Sequence, residues 1–150
     1  MLLQPYLNFD GRCREAFTLY QQVLGGRIEA MIPFSETPAE HAVPAEARDG
    51  IMHACLIVGD AVLMASDAPP GMYEEPKGLF VSIGVEDPDE VERIFHALAD
   101  GGRVTMPVEK TFWSERFGMV VDRFGIPWMV NCTAAVEGIE AGGAQTEQHA

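Results

Sequence analysis

Two glycine pairs, Gly25-Gly26 and Gly101-Gly102, stand 76 positions apart (25 and 101), and each closes an apolar stripe at helical spacing. The first stripe is Cys13, Ala16, Phe17, Tyr20 and Leu24; the second is Val91, Ile94, Phe95 and Leu98. Glycine after the last periodic residue supplies the left-handed conformation of a helix C-cap. A strand-like run precedes each helix and three follow it. The chain therefore reads as an internal duplication of a β-α-β-β-β unit.

In the first copy, Leu2 to Phe9 alternates, with Leu3, Pro5, Leu7 and Phe9 on one face and Gln4, Tyr6 and Asn8 on the other. Asp10 is expected to cap the helix. Arg27 to Phe34 reads as the second strand, and Ser35 to Gly50, rich in Pro, Glu and Ala, as an acidic, mobile loop. Gly59-Asp60 joins the strands Ile51 to Val58 and Ala61 to Ser66 as a tight hairpin with glycine first.

In the second copy, Phe80 to Val85 is a strand with Val81, Ile83 and Val85 on one face. Asp87-Pro88-Asp89-Glu90 combines an N-cap, a proline at the first helical position and acids on the positive end of the helix dipole. Val104 to Pro107 is the next strand. Thr111 to Asn131 then reads as strand, turn and strand about Asp122-Arg123-Phe124-Gly125, where aspartate binds its own backbone and glycine supplies positive φ. Ile126, Trp128 and Val130 leave the turn on one face, which makes Trp128 a core residue; Pro127, Met129 and Asn131 take the other. Pro127 favours a sheet edge or a position whose N–H would go unpaired. The domain plan is residues 1–67 for one module, 68–77 for a Pro-rich linker, 78–133 for the second module and 134–150 for a flexible tail.

With 150 residues, 47% of them apolar and 22% charged, the chain can bury a real core. No apolar run approaches the ~20 residues of a membrane span. The first residues lack the basic start and long apolar region of a signal peptide, so a cytoplasmic location is expected. A net charge of −13 argues against nucleic acid and anionic membrane as partners, since both need a positive footprint. The cysteines, Cys13, Cys55 and Cys132, are odd in number and lack metal-type spacing. They read as buried free thiols, with a catalytic thiolate as the alternative.

The element order, with the stretches FTLYQQVLGG, IMHACLIVGDAVLMASD and FWSERFGMVVDRFGIPWMV, resembles the vicinal oxygen chelate superfamily of glyoxalase, bleomycin-resistance and dioxygenase proteins. It is more closely similar to the PhnB-like branch, whose members carry a demethylubiquinone methyltransferase label. The resemblance covers residues 1 to 133. It implies an α+β fold of two tandem βαβββ modules forming a curved mixed sheet around a cavity, and a homodimer. The methyltransferase label has no support in these residues, because no glycine-rich turn links a parallel strand to a helix.

Metal-dependent members of the superfamily draw ligands from inward strand positions that correspond here to Gln4, His53, Phe80 and Met129. Only His53 suits a divalent first-row metal, so no cofactor is expected, with a divalent metal on His53 as the alternative. The resemblance implies a ligand cavity lined by Gln4, Tyr6, His53, Phe80, Trp113 and Met129. His53 is the best candidate for a catalytic role, as a general base near neutrality; its alternative is a strand histidine satisfied by a neighbour. Trp113 reads equally as a cavity wall or as core. Glu109 and Glu115 flank it as acids or, more simply, as solvated surface. Asp67 closes a strand and could be a turn residue, while nothing links His41, His96 and His149 into a site.

The reading favoured is a protein that binds a small, aromatic or cationic molecule in a metal-poor cavity. The alternative is a metal-dependent isomerase, lyase or dioxygenase with His53 as a ligand, and a third is a structural dimer with a filled cavity. Whether the chain is an enzyme stays open at this level. Loops 35–50 and 68–77 are the expected lids.

Overall fold

The computed structural model describes residues 1–136, and the chain divides between Pro76 and Lys77 into two units of one design. The first unit holds β1 (Tyr6–Phe9), α1 (Cys13–Leu24), β2 (Arg27–Pro33), β3 (Ile51–Val58) and β4 (Ala61–Asp67), in sheet order β1-β4-β3-β2. The second holds β5 (Val81–Val85), α2 (Pro88–Ala99), β6 (Arg103–Glu109), β7 (Phe117–Val121) and β8 (Pro127–Cys132), in order β5-β8-β7-β6. In each sheet the strand before the helix pairs in parallel with the last strand of its unit, and the other neighbours are antiparallel. The duplicated β-α-β-β-β order is therefore the fold.

Each helix covers one sheet face. In the first unit Cys13, Ala16, Phe17, Tyr20 and Val23 are buried on the helix, and Leu7, Phe9, Ala54, Leu56, Leu63 and Ala65 on the strands. Phe9, Phe17 and Tyr20 meet with ring centroids 5.8 to 6.4 Å apart. In the second unit Val91, Ile94, Phe95 and Leu98 bury with Val120, Trp128, Val130 and Cys132. Each fully buried large apolar side chain contributes about 1.5–3 kcal/mol of transfer free energy, which is what holds helix to sheet. Gly118 belongs to this face of β7: a Cβ there would sit 2.6 Å from the Phe95 ring.

Local signals place several elements as expected. Asp87 accepts a hydrogen bond from the Asp89 N–H at 2.9 Å and Pro88 opens α2. Gly25 and Gly101, with φ of 79° and 74°, follow the two helices, and the Gly25 N–H returns to the Gln21 carbonyl at 2.8 Å. At the last hairpin Asp122 Oδ1 accepts from the N–H groups of Phe124 and Ile126, at 2.9 and 3.0 Å, and Oδ2 accepts from the Trp128 indole at 2.8 Å. Trp128 is core, 1% exposed.

Other expectations are corrected. The first strand begins at Tyr6, not Leu2, and Leu2 and Leu3 are 83% and 95% exposed. Its partner β4 pairs only with Tyr6 to Phe9, and Pro5, lacking an N–H, offers β4 nothing but its carbonyl, 3.4 Å from the Met64 nitrogen. Asp10 does not cap α1; the cap position is Arg12, whose side chain bonds Glu15 at 3.0 Å rather than capping the helix, and the Cys13 N–H donates instead to Asp67 Oδ1 at 3.0 Å. Val23, not Leu24, completes the buried stripe.

Phe34 opens the first of three short 3-10 turns, Phe34–Glu36, Pro38–Ala42 and Ala45–Ala47, so the expected mobile loop contains regular structure, with Val43 buried. β5 begins at Val81 rather than Phe80, and β6 extends beyond Val104 to Pro107 at both ends. Residues 111–116 form a loop, not a strand. β8 is a central strand, so of the two readings of Pro127 only the sheet edge is excluded; it stands as the first residue of the strand, where a missing N–H is tolerated. The tail residues 137–150, and with them His149, lie outside the described residues, while Val136 is buried.

Candidate functional site

The face of each sheet away from its helix carries Tyr6, His53 and Met129, while Gln4 and Phe80 precede β1 and β5 and Trp113 lies in the loop before β7. Register fixes which residues share a face, because directly paired residues point to one side. In the first unit Tyr6 pairs with Met64, Met64 with Cys55 and Cys55 with Ala30, while Asn8 pairs with Ser66 and His53 with Ile32. Across this open face the Tyr6 hydroxyl lies 3.2 Å from His53 Nδ1, and the two rings stack at a centroid distance of 5.9 Å and an interplanar angle of 27°. Tyr6 is half exposed and His53 half-buried. With the phenol donating, Nδ1 is the acceptor and Nε2 carries the ring proton. Among the described residues Nε2 has no partner, so it can hydrogen-bond a ligand. Gln4 precedes β1 and is half-buried.

In the second unit one row across the open face is Ser82, Met129, Met119 and Met106, and a second is Gly84, Asn131, Phe117 and Glu109. Trp113 is 46% and Phe80 41% exposed, which places neither in the core. Trp113 makes edge contacts with Phe112 and Phe117, at 4.8 and 5.4 Å between centroids. Its loop is held from below by buried Ser114, whose Oγ lies 2.8 and 3.0 Å from the carbonyl oxygens of Arg116 and Cys132. Asn131 carries a buried Oδ1 with no hydrogen-bond partner in this unit's described residues. Sequence reasoning put Asn131 on this face but gave it no role; a lone amide in an apolar strand was the available signal.

The remaining candidates are structural or surface groups. Asp67 is buried and binds backbone N–H groups, Oδ1 from Cys13 and Oδ2 from Ile51, at 3.0 and 2.8 Å. Glu109 is exposed and Glu115 pairs with Lys110 at 3.5 Å. His41 faces Glu40 and His96 faces Glu92. Burial, reinforced by the Asp67 charge, pushes the Cys13 thiol up to about 12. Cys55 is raised by burial and then by Glu29, and the Cys132 thiol donates to the Glu86 carbonyl at 3.2 Å. Thiolate nucleophile chemistry has no support at Cys13 or Cys55.

The four positions matched to the metal ligands of the superfamily do not fit a divalent first-row cation. Gln4 and His53 offer the first unit an amide and an imidazole; Phe80 and Met129 offer the second a hydrocarbon ring and a thioether. Among the described residues no group of three or more His, Cys, Asp or Glu side chains is placed to hold a metal ion.

Residues 3–130 match the family model of the Glyoxalase/Bleomycin resistance protein/Dioxygenase superfamily, and the chain belongs to that superfamily. It is 34% identical over 139 residues to Protein YjdN of Escherichia coli (strain K12), covering 87% of this chain and 95% of that one. The crystal structure of protein PA1353 from Pseudomonas aeruginosa is similar at 53% identity and a TM-score of 0.81, covering 88% of this chain and 97% of that one. A PhnB protein from Bacillus cereus, named for a 3-demethylubiquinone-9 3-methyltransferase, shares the fold at 20% identity and a TM-score of 0.75, over 89% of this chain and all (100%) of that one.

Proposed function

We propose that the chain binds a small aromatic or cationic molecule against the open face of its first sheet, using no hard divalent metal. The observation that carries this reading is the Tyr6–His53 pair, stacked and hydrogen-bonded on an open face with Nε2 free to meet a ligand. A net charge of −13 favours a cationic ligand, and the stacked Tyr6 and His53 rings offer it a flat aromatic surface. The free thiols suit a reducing cytoplasm, and family resemblance supports a homodimer.

Thermal shift with a panel of planar aromatic amines and aromatic carboxylates tests the reading. A true ligand at 100 times its dissociation constant stabilises the fold by about 2.7 kcal/mol. The shift is expected to shrink in His53→Ala and in Tyr6→Ala. Hits that shift both variants as much as the parent protein would remove these residues from the site. Stoichiometric zinc or iron(II), lost on His53→Ala, would replace the proposal with a metal-dependent isomerase, lyase or dioxygenase.

A further inference from the structure

We propose that Met106, Met119 and Met129 form a site for a soft monovalent cation, Cu(I), with Ag(I) as its stable analogue. The three residues are direct cross-strand partners: Met106 pairs with Met119, and Met119 with Met129. They form one unbroken row over three adjacent strands on the face of the second sheet that α2 leaves open. Neighbouring strands lie ~4.8 Å apart, so the outer two thioethers need lean inward only a few ångströms to share an ion with the central one. Methionine, unbranched and with three rotatable side-chain bonds, makes that adjustment readily.

The row depends on an irregularity in β6. Val104 pairs with Val120, but Met106 pairs with Met119, so one residue is skipped between them. Without that shift Thr105 would face Met119, and the row would end in a hydroxyl. The bulge turns a thioether onto the open face instead. The side chains remain reachable: Met106 is 38% exposed, and Met119 and Met129 are half-buried.

Ligand chemistry selects the ion. Thioether sulfur is soft and uncharged, which suits a low-charge, polarizable cation and disfavours zinc, magnesium or manganese. The absence of carboxylate and imidazole from this row, which unfits it for a hard metal, is what fits it for a soft one. The overall charge of −13 attracts any cation to the chain.

The test uses the full chain with 13C-labelled methionine methyl groups, in a Cys55→Ser background because the half-exposed Cys55 thiol would compete for the ion. Silver nitrate is titrated in chloride-free buffer. Three of the eight methionine methyl signals are expected to move together and stop at one equivalent, while zinc moves none of them. Met119→Leu keeps the side-chain volume, and its undisturbed remaining methyl spectrum reports that it folds. Loss of even an outer-shell group at a metal site costs about 10–100-fold, so this variant is expected to weaken Ag(I) binding at least tenfold. Silver shifts spread over all the methionines, equal affinity in Met119→Leu, the same response to zinc, or no response to silver would each overturn the proposal. None of these outcomes bears on ligand binding at Tyr6 and His53, which rests on different residues.

Discussion

Asp67 reaches back 54 positions to hold the first turn of α1, its Oδ1 accepting from the Cys13 N–H at 3.0 Å while Oδ2 accepts from the Ile51 N–H at 2.8 Å. One carboxylate thus ties the end of β4 to the start of a helix and to the start of β3. Both N–H groups are buried with it, and each left without an acceptor costs about 1–3 kcal/mol. Asp67→Ala is expected to lower stability by roughly 3 kcal/mol in urea unfolding. Asp67→Asn keeps one acceptor and is expected to lose about half as much. A midpoint unchanged in Asp67→Ala would show that water replaces the carboxylate.

Gly118 makes a second, steric prediction. It lies under Phe95, and an added Cβ would approach the ring to 2.6 Å and the Val108 Cα to 3.1 Å. Phe95 is itself buried, so the ring has little room to retreat. Overpacking of this kind costs about 1–3 kcal/mol. Gly118→Ala is expected to fall in that range, and Gly118→Ala with Phe95→Leu to recover part of the loss. Stability of the single variant equal to the parent would mean that α2 shifts freely on its sheet.

Cys13 predicts a pH dependence. Burial, and after it the Asp67 charge, raise its thiol from 9.0 to about 12 in the folded chain. Between those values the unfolded thiol has lost its proton and the folded one keeps it, so the folded state binds more protons and stability falls as pH rises. The contribution is fully present below about pH 9 and is lost at up to about 1.4 kcal/mol per pH unit above it. Urea midpoints of the parent, compared with Cys13→Ala between pH 8 and pH 10.5, are expected to converge as pH rises. A constant difference would show that the thiol ionises alike in both states.

The parts of this fold that were legible in the sequence are those set by neighbours in the chain. The Asp122 turn and the Asp87-Pro88 helix start each complete their hydrogen bonds within four residues, at Ile126 and Asp89. The buried face of α2 follows from spacing alone. What escaped was set at a distance. Asp10 looked like the cap of α1 because it is nearby, yet the acceptor is Asp67, brought in by β4. Leu2 and Leu3 continue a convincing alternation, but no strand extends far enough to pair with them. The bulge that turns Met106 over exists only in the pairing of β6 with β7. Alternation put Tyr6 on the polar face of its strand, but nothing in either strand announced that its hydroxyl would meet His53, 47 positions away.

That contact supports a prediction about the histidine itself. A phenol is a stronger donor than acceptor, so the Tyr6 hydroxyl donates to Nδ1, 3.2 Å away, and holds the neutral ring in the form protonated at Nε2. Nitrogen NMR of the neutral imidazole is expected to show an acceptor-type Nδ1 and a protonated Nε2. Tyr6→Phe removes the donor but keeps the stacked ring, so the two nitrogen shifts are expected to move toward each other as both tautomers become populated. Stability should change by less than about 1 kcal/mol, because the pair is part-exposed and water can replace the hydroxyl. If ligand recognition depends on an Nε2 proton, Tyr6→Phe will weaken binding of acceptor-bearing ligands more than of purely apolar ones. A protonated Nδ1 in the parent protein would reverse the assignment and make Nε2 an acceptor, so that the matching ligand group would be a donor.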